Sequence, residues 1–297
     1  MRAKGVALAT LAATLLVAAM RIDAMAVTPA PARRLPPPPA PRSVDHPPAD
    51  DVLAFDNGPR TGGLVALTFD ADMSPDMLYR LRTGQVGSWY NRDVIDVLRS
   101  ESVPATIFLT GLWAATYPAE ARDIARDPLF EVGSHTFDHA AFRVPCWGLP
   151  SARDGLAELV LAQDAISSAT GVMPNLLRFP GDCWTYTDAG LAQSIGLVTV
   201  AGDVRGGDAF NNSVAAIVRT VLSTIRPGSI VVMHLQGGPN APLTALALRQ
   251  LIPVLRARGL GFARVSDLLG LPRAVVPPIN PPAVLTQSRR PRGMRSF

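Results

Sequence analysis

The sequence predicts an α/β fold, a distorted and incomplete (β/α) barrel of about seven parallel strands. Three observations carry this. Apolar strand-like runs recur with helical stretches between them. None is followed closely by a hairpin turn, so successive strands are joined by crossovers and run parallel. Polar residues collect at the carboxyl ends of several different runs, the face on which barrel enzymes build their sites. The strand runs are residues 64–70, 105–111, 130–135, 176–180, 197–203, 229–234 and 260–265. The stretches 92–99, 152–169, 214–225 and 243–258 space their apolar positions by three to four, as helices buried along one face do. Asp70, Asp72, His135, Arg178, Asp203, Asp208 and His234 lie at or just past strand ends. Turn initiation would account for the aspartates but less well for the histidines.

The chain has 297 residues, 48% of them apolar, enough for one large domain with tails. At the start, Arg2 and Lys4 precede an apolar run over 6–20 and then Ala24-Met25-Ala26, a small-x-small pattern. Residues 1–26 are therefore expected to be an export signal, or an uncleaved anchor, although the run is shorter than the ~20 residues of a spanning helix. Either places the rest outside the cytoplasm, secreted or at the cell envelope. Residues 27–61, with Leu35-Pro36-Pro37-Pro38-Pro39, read as a Pro-rich spacer, and 62–271 as the catalytic domain. Residues 272–297 read as a disordered, Pro-rich tail with Arg289, Arg290, Arg292 and Arg295 unbalanced by any acid.

The formal charge of +4 belongs to the ends. Residues 1–60 carry 7 basic and 5 acidic groups and residues 272–297 carry 5 and 0, which leaves 16 basic against 19 acidic between them. A mildly acidic body lacks the basic surface that nucleic acid requires, so that partner is excluded. The basic tail is either a solvated end or a contact for anionic envelope polymers and lipid headgroups.

Gly133-Ser134-His135-Thr136-Phe137-Asp138-His139 holds two of the four histidines. On a helical turn, residues i and i+4 share a face, so both imidazoles could reach one cation. An isolated pair at this spacing could equally sit on a solvated helix. The surrounding residues favour the cation: His234 closes the apolar run Ile230-Val231-Val232-Met233, as Asp70 closes Val65-Ala66-Leu67-Thr68-Phe69.

Thr68-Phe69-Asp70-Ala71-Asp72, His135-Thr136-Phe137-Asp138-His139, Arg178-Phe179-Pro180-Gly181, Asp203 to Asp208, and Ile230 to Leu235 follow the order of the five motifs of polysaccharide deacetylases. Over roughly residues 62–271 the chain resembles that family, the NodB-homology deacetylases of carbohydrate esterase family 4. The resemblance implies a NodB-like barrel and one divalent metal ion, Zn2+, held by an aspartate with His135 and His139. Asp70 would be the general base, kept ionised by Arg178. His234 would be the general acid, oriented by Asp208, and the amide nitrogen of Gly181 the oxyanion donor. Amide hydrolysis asks for such parts: a cation to polarise the carbonyl, a base for water, donors for the oxyanion and an acid for the leaving amine.

Two departures from the family pattern stand out. The usual Asp-Asp of the first motif is Asp70-Ala71-Asp72, which makes Asp72 the expected metal ligand, with Asp70 the alternative; on a continuing strand the two face the same side. In the fourth motif Ala209 replaces the usual Trp, so Phe210 or Trp184 would have to supply the acetyl pocket's apolar wall. Asp203 is a second candidate partner for His234. Trp89 and Tyr90 beside Gly87 read either as a sugar-stacking platform or as anchors of a helix start, and Trp113 and Trp147 share the ambiguity. Cys146 and Cys183 fall in loops that the resemblance places beside the site. In an exported chain two cysteines are expected to be joined, the alternative being two separate buried thiols.

The function expected is N-deacetylation of amino sugars in a cell-envelope or related glycan by a monomer whose partner is that N-acetylated glycan. The alternatives are an O-acetyl esterase, another metal amidohydrolase, or a catalytically weak glycan-binding module.

Overall fold

In the computed structural model the strand Leu64–Ala71 is the hub, and every residue of it after Leu64 is buried. Residues 54–274 are described. The expected export segment, most of the spacer and the tail beyond 274 lie outside them. The strands, in chain order, are β1 (Ala54–Phe55), β2 (Leu64–Ala71), β3 (Ala105–Leu109), β4 (Phe130–Ser134), β5 (Leu176–Leu177), β6 (Val198–Val200), β7 (Val204–Arg205), β8 (Ile230–His234) and β9 (Gly261–Phe262). Eight of them pair in the order β1-β6-β5-β4-β3-β2-β8-β7, and β9 pairs with the start of β2. All of these pairings are parallel. The path ends at β1 and β7, which makes a half-barrel, as expected of an incomplete barrel from the polar residues at its strand ends.

All seven predicted runs contain a strand, several of them shorter than the apolar run. The run over 105–111 stops at Leu109 because Thr110 becomes the N-cap of a helix, its hydroxyl accepting from Trp113 N. The run over 197–203 keeps three strand residues, and a turn through Gly202 and Asp203 leads into β7. Ala54 and Phe55 pair with Thr199 and Val200, so the sheet reaches into the stretch read as spacer.

The helices are α1 (Pro75–Arg82), α2 (Arg92–Ser100), α3 (Gly111–Thr116), α4 (Pro118–Arg126), α5 (Gly155–Thr170), α6 (Tyr186–Ser194), α7 (Val214–Thr224), α8 (Thr244–Ala257) and α9 (Val265–Leu269). Their apolar stripes do what the spacing predicts. α2 buries Val94, Ile95, Val97 and Leu98 against the sheet. α5 starts where the Asp154 carboxylate accepts from Ala157 N and ends at Gly171, whose φ of 79° is the left-handed C-cap glycine tolerates. Helices cover the parallel sheet, so its strands are apolar on both sides and read as continuous runs rather than alternating ones.

Candidate active site

At the carboxyl end of β2, Asp70 lies in register with His234 of β8. Asp72 follows one residue beyond the strand, and both aspartates are at least 95% buried. They reach one side as period-two geometry predicts: Asp70 Oδ2 is 3.9 Å and Asp72 Oδ1 3.4 Å from the same nitrogen, His135 Nε2. The backbone here is pinned by Leu235 N to the Asp70 carbonyl (2.8 Å), by Gln236 Nε2 to the Asp72 carbonyl (2.8 Å), and by Thr110 N and Oγ1 to the Ala71 carbonyl.

His135 and His139 do come together, with ring centroids 5.0 Å apart, but not on a helical turn. That expectation is corrected. The segment after β4 is a loop in which Thr136 and His139 take positive φ values of 65° and 66°, a shape that i, i+4 spacing alone cannot reveal. Its carbonyls at Thr136 and Phe137 accept from Gly111 N and Leu112 N at the start of α3. Its N–H groups at Phe137 and Asp138 both donate to Glu158 Oε2 of α5, at 3.0 and 3.2 Å. Glu158, a residue the sequence reading passed over, thus holds the backbone between the two histidines.

His139 Nε2 lies 3.6 Å from Asp72 Oδ1, which completes a cluster of three possible ligand atoms within 4.8 Å of one another. The donor set fits a divalent cation. His135 Nδ1 meets the Arg178 carbonyl at 2.7 Å, so this nitrogen carries a proton and Nε2 is the ring atom that faces Asp72 and could ligate. Asp72 Oδ1 is buried without a hydrogen-bond partner among the described residues, a costly state that a cation relieves. Burial opposes the charge on Asp72, yet the neighbouring imidazoles hold its carboxyl well below the usual carboxylate range. Burial also pushes His139 down to about 4, which keeps it neutral and able to ligate.

Arg178, 3% exposed just past β5, organises the base side. Its Nη1 donates to Asp70 Oδ1 at 2.9 Å and to Thr68 Oγ1 at 2.7 Å, while Nε and Nη2 donate to the carbonyls of Val200 and Ala201. The guanidinium lies over the Phe108 ring at 4.3 Å. That ring needs Gly133, since a Cβ there would come within 2.5 Å of Phe108 Cδ1.

Asp208 meets His234 twice, accepting from its backbone N at 2.8 Å and lying 2.9 Å from Nδ1 through the other oxygen; Thr244 Oγ1 also donates to it at 2.6 Å. Burial works against a charged His234, but the fully buried Asp208 carboxylate overcomes it and raises the imidazole to about 10. Asp203, the second candidate for this partnership, is occupied elsewhere. It accepts from Arg60, from Ser229 Oγ and from Ile230 N, at the opposite end of β8.

Gly181 adopts φ 62°, and a Cβ there would strike Cys146 Sγ at 2.6 Å and Trp147 Cδ1 at 2.8 Å. Cys146 and Cys183 are joined, with Cα atoms 6.0 Å apart, so the loop after β4 is tied to the loop after β5 as expected. The aromatic ambiguities divide. Trp89 and Trp113 are buried core residues, and Tyr90 packs with Trp113 and Tyr117 as an anchor. Trp184 stacks on Phe179. Trp147 and Phe210 remain on the surface.

Fold and site together define the class as a barrel hydrolase, and the comparisons with known proteins agree. A family model described as polysaccharide deacetylase matches residues 53–200. Over 179 residues the chain is 33% identical to a chitooligosaccharide deacetylase of Bradyrhizobium sp. (strain ANU 289), covering 56% of this chain and 78% of that one. It is 27% identical to a peptidoglycan-N-acetylglucosamine deacetylase of Bacillus cereus over 71% of this chain and 90% of the other. A crystal structure of a peptidoglycan N-acetylglucosamine deacetylase matches with a TM-score of 0.63 over 75% of this chain and 95% of that chain at 22% identity, a likeness of fold. The chain belongs to the polysaccharide deacetylase family, the NodB-homology group of carbohydrate esterase family 4.

Proposed function

We propose that this protein is an exported, metal-dependent deacetylase that removes N-acetyl groups from the amino sugars of a cell-envelope or related glycan. The observation that carries the reading is Asp72 Oδ1, buried without a hydrogen-bond partner among the described residues and 3.4 and 3.6 Å from two imidazole nitrogens. Asp72, His135 and His139 would hold one divalent cation, Zn2+ by the preference of such a mixed oxygen and nitrogen set. The chemistry it supplies when bound is polarisation of the acetyl carbonyl and acidification of the attacking water.

The remaining steps belong to the chain's own groups. Asp70, fixed by Arg178, takes a proton from the water as its oxygen bonds to the acetyl carbon. The Gly181 N–H donates to the oxyanion that forms. His234, held charged by Asp208, gives a proton to the amide nitrogen as the C–N bond breaks, releasing acetate and a free amine. Names of relatives support the N-acetyl glycan substrate, and the disulfide supports a location outside the reducing cytoplasm. Among the described residues no helix is long and apolar enough to cross a membrane.

The test is acetate release from N-acetylglucosamine oligomers and from O-acetylated xylan, measured beside metal content. Release from the N-acetyl chains, abolished by chelation and restored by Zn2+, is expected. Turnover confined to the O-acetylated polymer would make the protein an esterase, and glycan binding without turnover would make it a binding module.

A further inference from the structure

The N–H of Gly181, the oxyanion donor of the reading above, sits in a short loop whose shape is costly. Gly181 and Asp182, consecutive residues after β5, take positive φ values of 62° and 57°. Glycine accepts this region freely, but an aspartate there is held against its preference, and such residues persist only where the surroundings over-determine them. On the β4 side the loop is anchored by the Cys146–Cys183 bond and by Trp147 Nε1, which donates to the Gly181 carbonyl at 3.2 Å. On the opposite side the anchor is the Asp182 carboxylate. Its Oδ1 accepts from Trp184 Nε1 at 2.9 Å, and its Oδ2 accepts from Arg205 Nη2.

Arg205 belongs to β7, the last strand of the sheet path, whereas β5 is the third. Among the described residues no strand pairing joins the two, so the ion pair reaches across the side on which the half-barrel stays open. Arg205 is in register with Val232 of β8, two residues before His234, and Asp208 follows it by three. The pair therefore links the loop that offers the Gly181 N–H to the strands that deliver the Asp208–His234 couple.

From this geometry we infer that the Asp182–Arg205 pair is a positioning strap, which closes the open side of the half-barrel and fixes the Gly181 N–H relative to His234. The inference rests on the hydrolytic reading above and deepens it. An oxyanion donor works only if it already points to where charge develops, and a displacement of about 1 Å can cost ~10²-fold in rate. Asp182 and Arg205 act through Gly181 and not on the substrate. With 25% and 45% of the two side chains exposed, the pair adds little to folding stability, so its effect is read in turnover.

The experiment measures kcat and KM on chitotetraose for the wild type, Arg205→Ala, Asp182→Asn, the double variant and Arg205→Lys, beside metal content and melting temperature. Arg205→Ala and Asp182→Asn are each expected to lower kcat roughly tenfold, less than the ~10²–10³-fold of losing an oxyanion donor outright, with the other three quantities close to wild type. The double variant should be no slower than Arg205→Ala, because the two residues act as one unit. Arg205→Lys, or millimolar guanidinium added to Arg205→Ala, should restore part of kcat. A loss carried by KM, or losses that multiply in the double variant, would show that Arg205 meets the substrate directly and would overturn the strap. Unchanged kcat in both single variants would overturn it as well, as would metal loss or a lowered melting temperature that tracks the slower turnover. If the wild type releases no acetate from any acetylated chain, the hydrolytic reading fails, and hydrogen exchange over residues 179–185 then decides the strap alone. Faster exchange in Arg205→Ala than in the wild type would support it, and equal exchange would refute it.

Discussion

Arg178 donates to the Asp70 carboxylate at 2.9 Å, with 3% and 6% of the two side chains exposed. Replacing Arg178 with Ala strands a buried carboxylate and also takes a donor from the Thr68 hydroxyl and from two carbonyls. Breaking such a pair from one side typically costs about 3–5 kcal/mol. Urea denaturation of Arg178→Ala should therefore show a much lower midpoint, and Arg178→Lys should recover only part of it, having no fork to serve four acceptors. A midpoint equal to the wild type would mean the pair is not formed in solution.

Asp70 and Asp72 should separate in their loss of function. Asp72→Asn replaces the charged carboxylate that faces both histidines with a neutral amide and should leave purified protein without stoichiometric metal. Asp70→Asn should keep the metal and lose turnover. Metal analysis and acetate release on the two variants decide it, and the opposite pattern of metal loss would exchange the two roles.

The apolar runs revealed the long strands and the helices α2, α5, α7 and α8 because burial imposes a period on many consecutive residues. They did not reveal β1 or β7, which lie outside the seven runs, whereas the equally short β5 and β9 fall inside the runs over 176–180 and 260–265. The ends of β2, β4 and β8 marked Asp70, His135 and His234 correctly as neighbours. The loop from His135 to His139 was misread as a helical turn because dihedral angles above zero at Thr136 and His139 leave no trace in spacing. Glu158 escaped notice for a related reason. It sits on a helix as any surface glutamate does, and only the fold brings its carboxylate to the loop's N–H groups.

Glu158 is accordingly a positioning residue for the metal loop. Glu158→Ala leaves two backbone donors without their acceptor, a loss of about 1–3 kcal/mol for each that stays buried. Weaker metal binding is expected in a competition with a chromogenic chelator, with Glu158→Gln largely restoring it because the amide oxygen still accepts. Equal affinities in all three proteins would show that the loop holds its shape unaided.

The Cys146–Cys183 bond closes a loop with a sequence separation of 37. In the chain-entropy view a loop of that size stabilises by about 3–4 kcal/mol. Reductant should lower the denaturation midpoint of the wild type by an amount that the double Ser variant no longer shows. Mass spectrometry of unreduced protein should find both thiols blocked, and two alkylatable thiols would contradict the bond.

His234 gives the sharpest separation of roles, because it lies outside the metal cluster yet beside it. In the chelated protein, burial disfavours its charge and Asp208 more than restores it, raising the group to about 10. A raised histidine contributes stability that is fully present below its unfolded value near 6.5 and is lost as pH rises through about 10. The melting temperature gap between chelated wild type and His234→Ala should therefore close between those limits. A bound cation repels the imidazolium and lowers that pKa, so activity of the metal-loaded enzyme should fall with rising pH at a value below 10. Removing the proton donor should cost ~10²–10⁴-fold on an N-acetyl sugar, whose amine cannot leave unprotonated, and far less on an activated acetyl ester. The metal content of His234→Ala should match the wild type. Equal losses on amide and ester, or loss of metal, would show that His234 is a ligand or a packing residue rather than the acid.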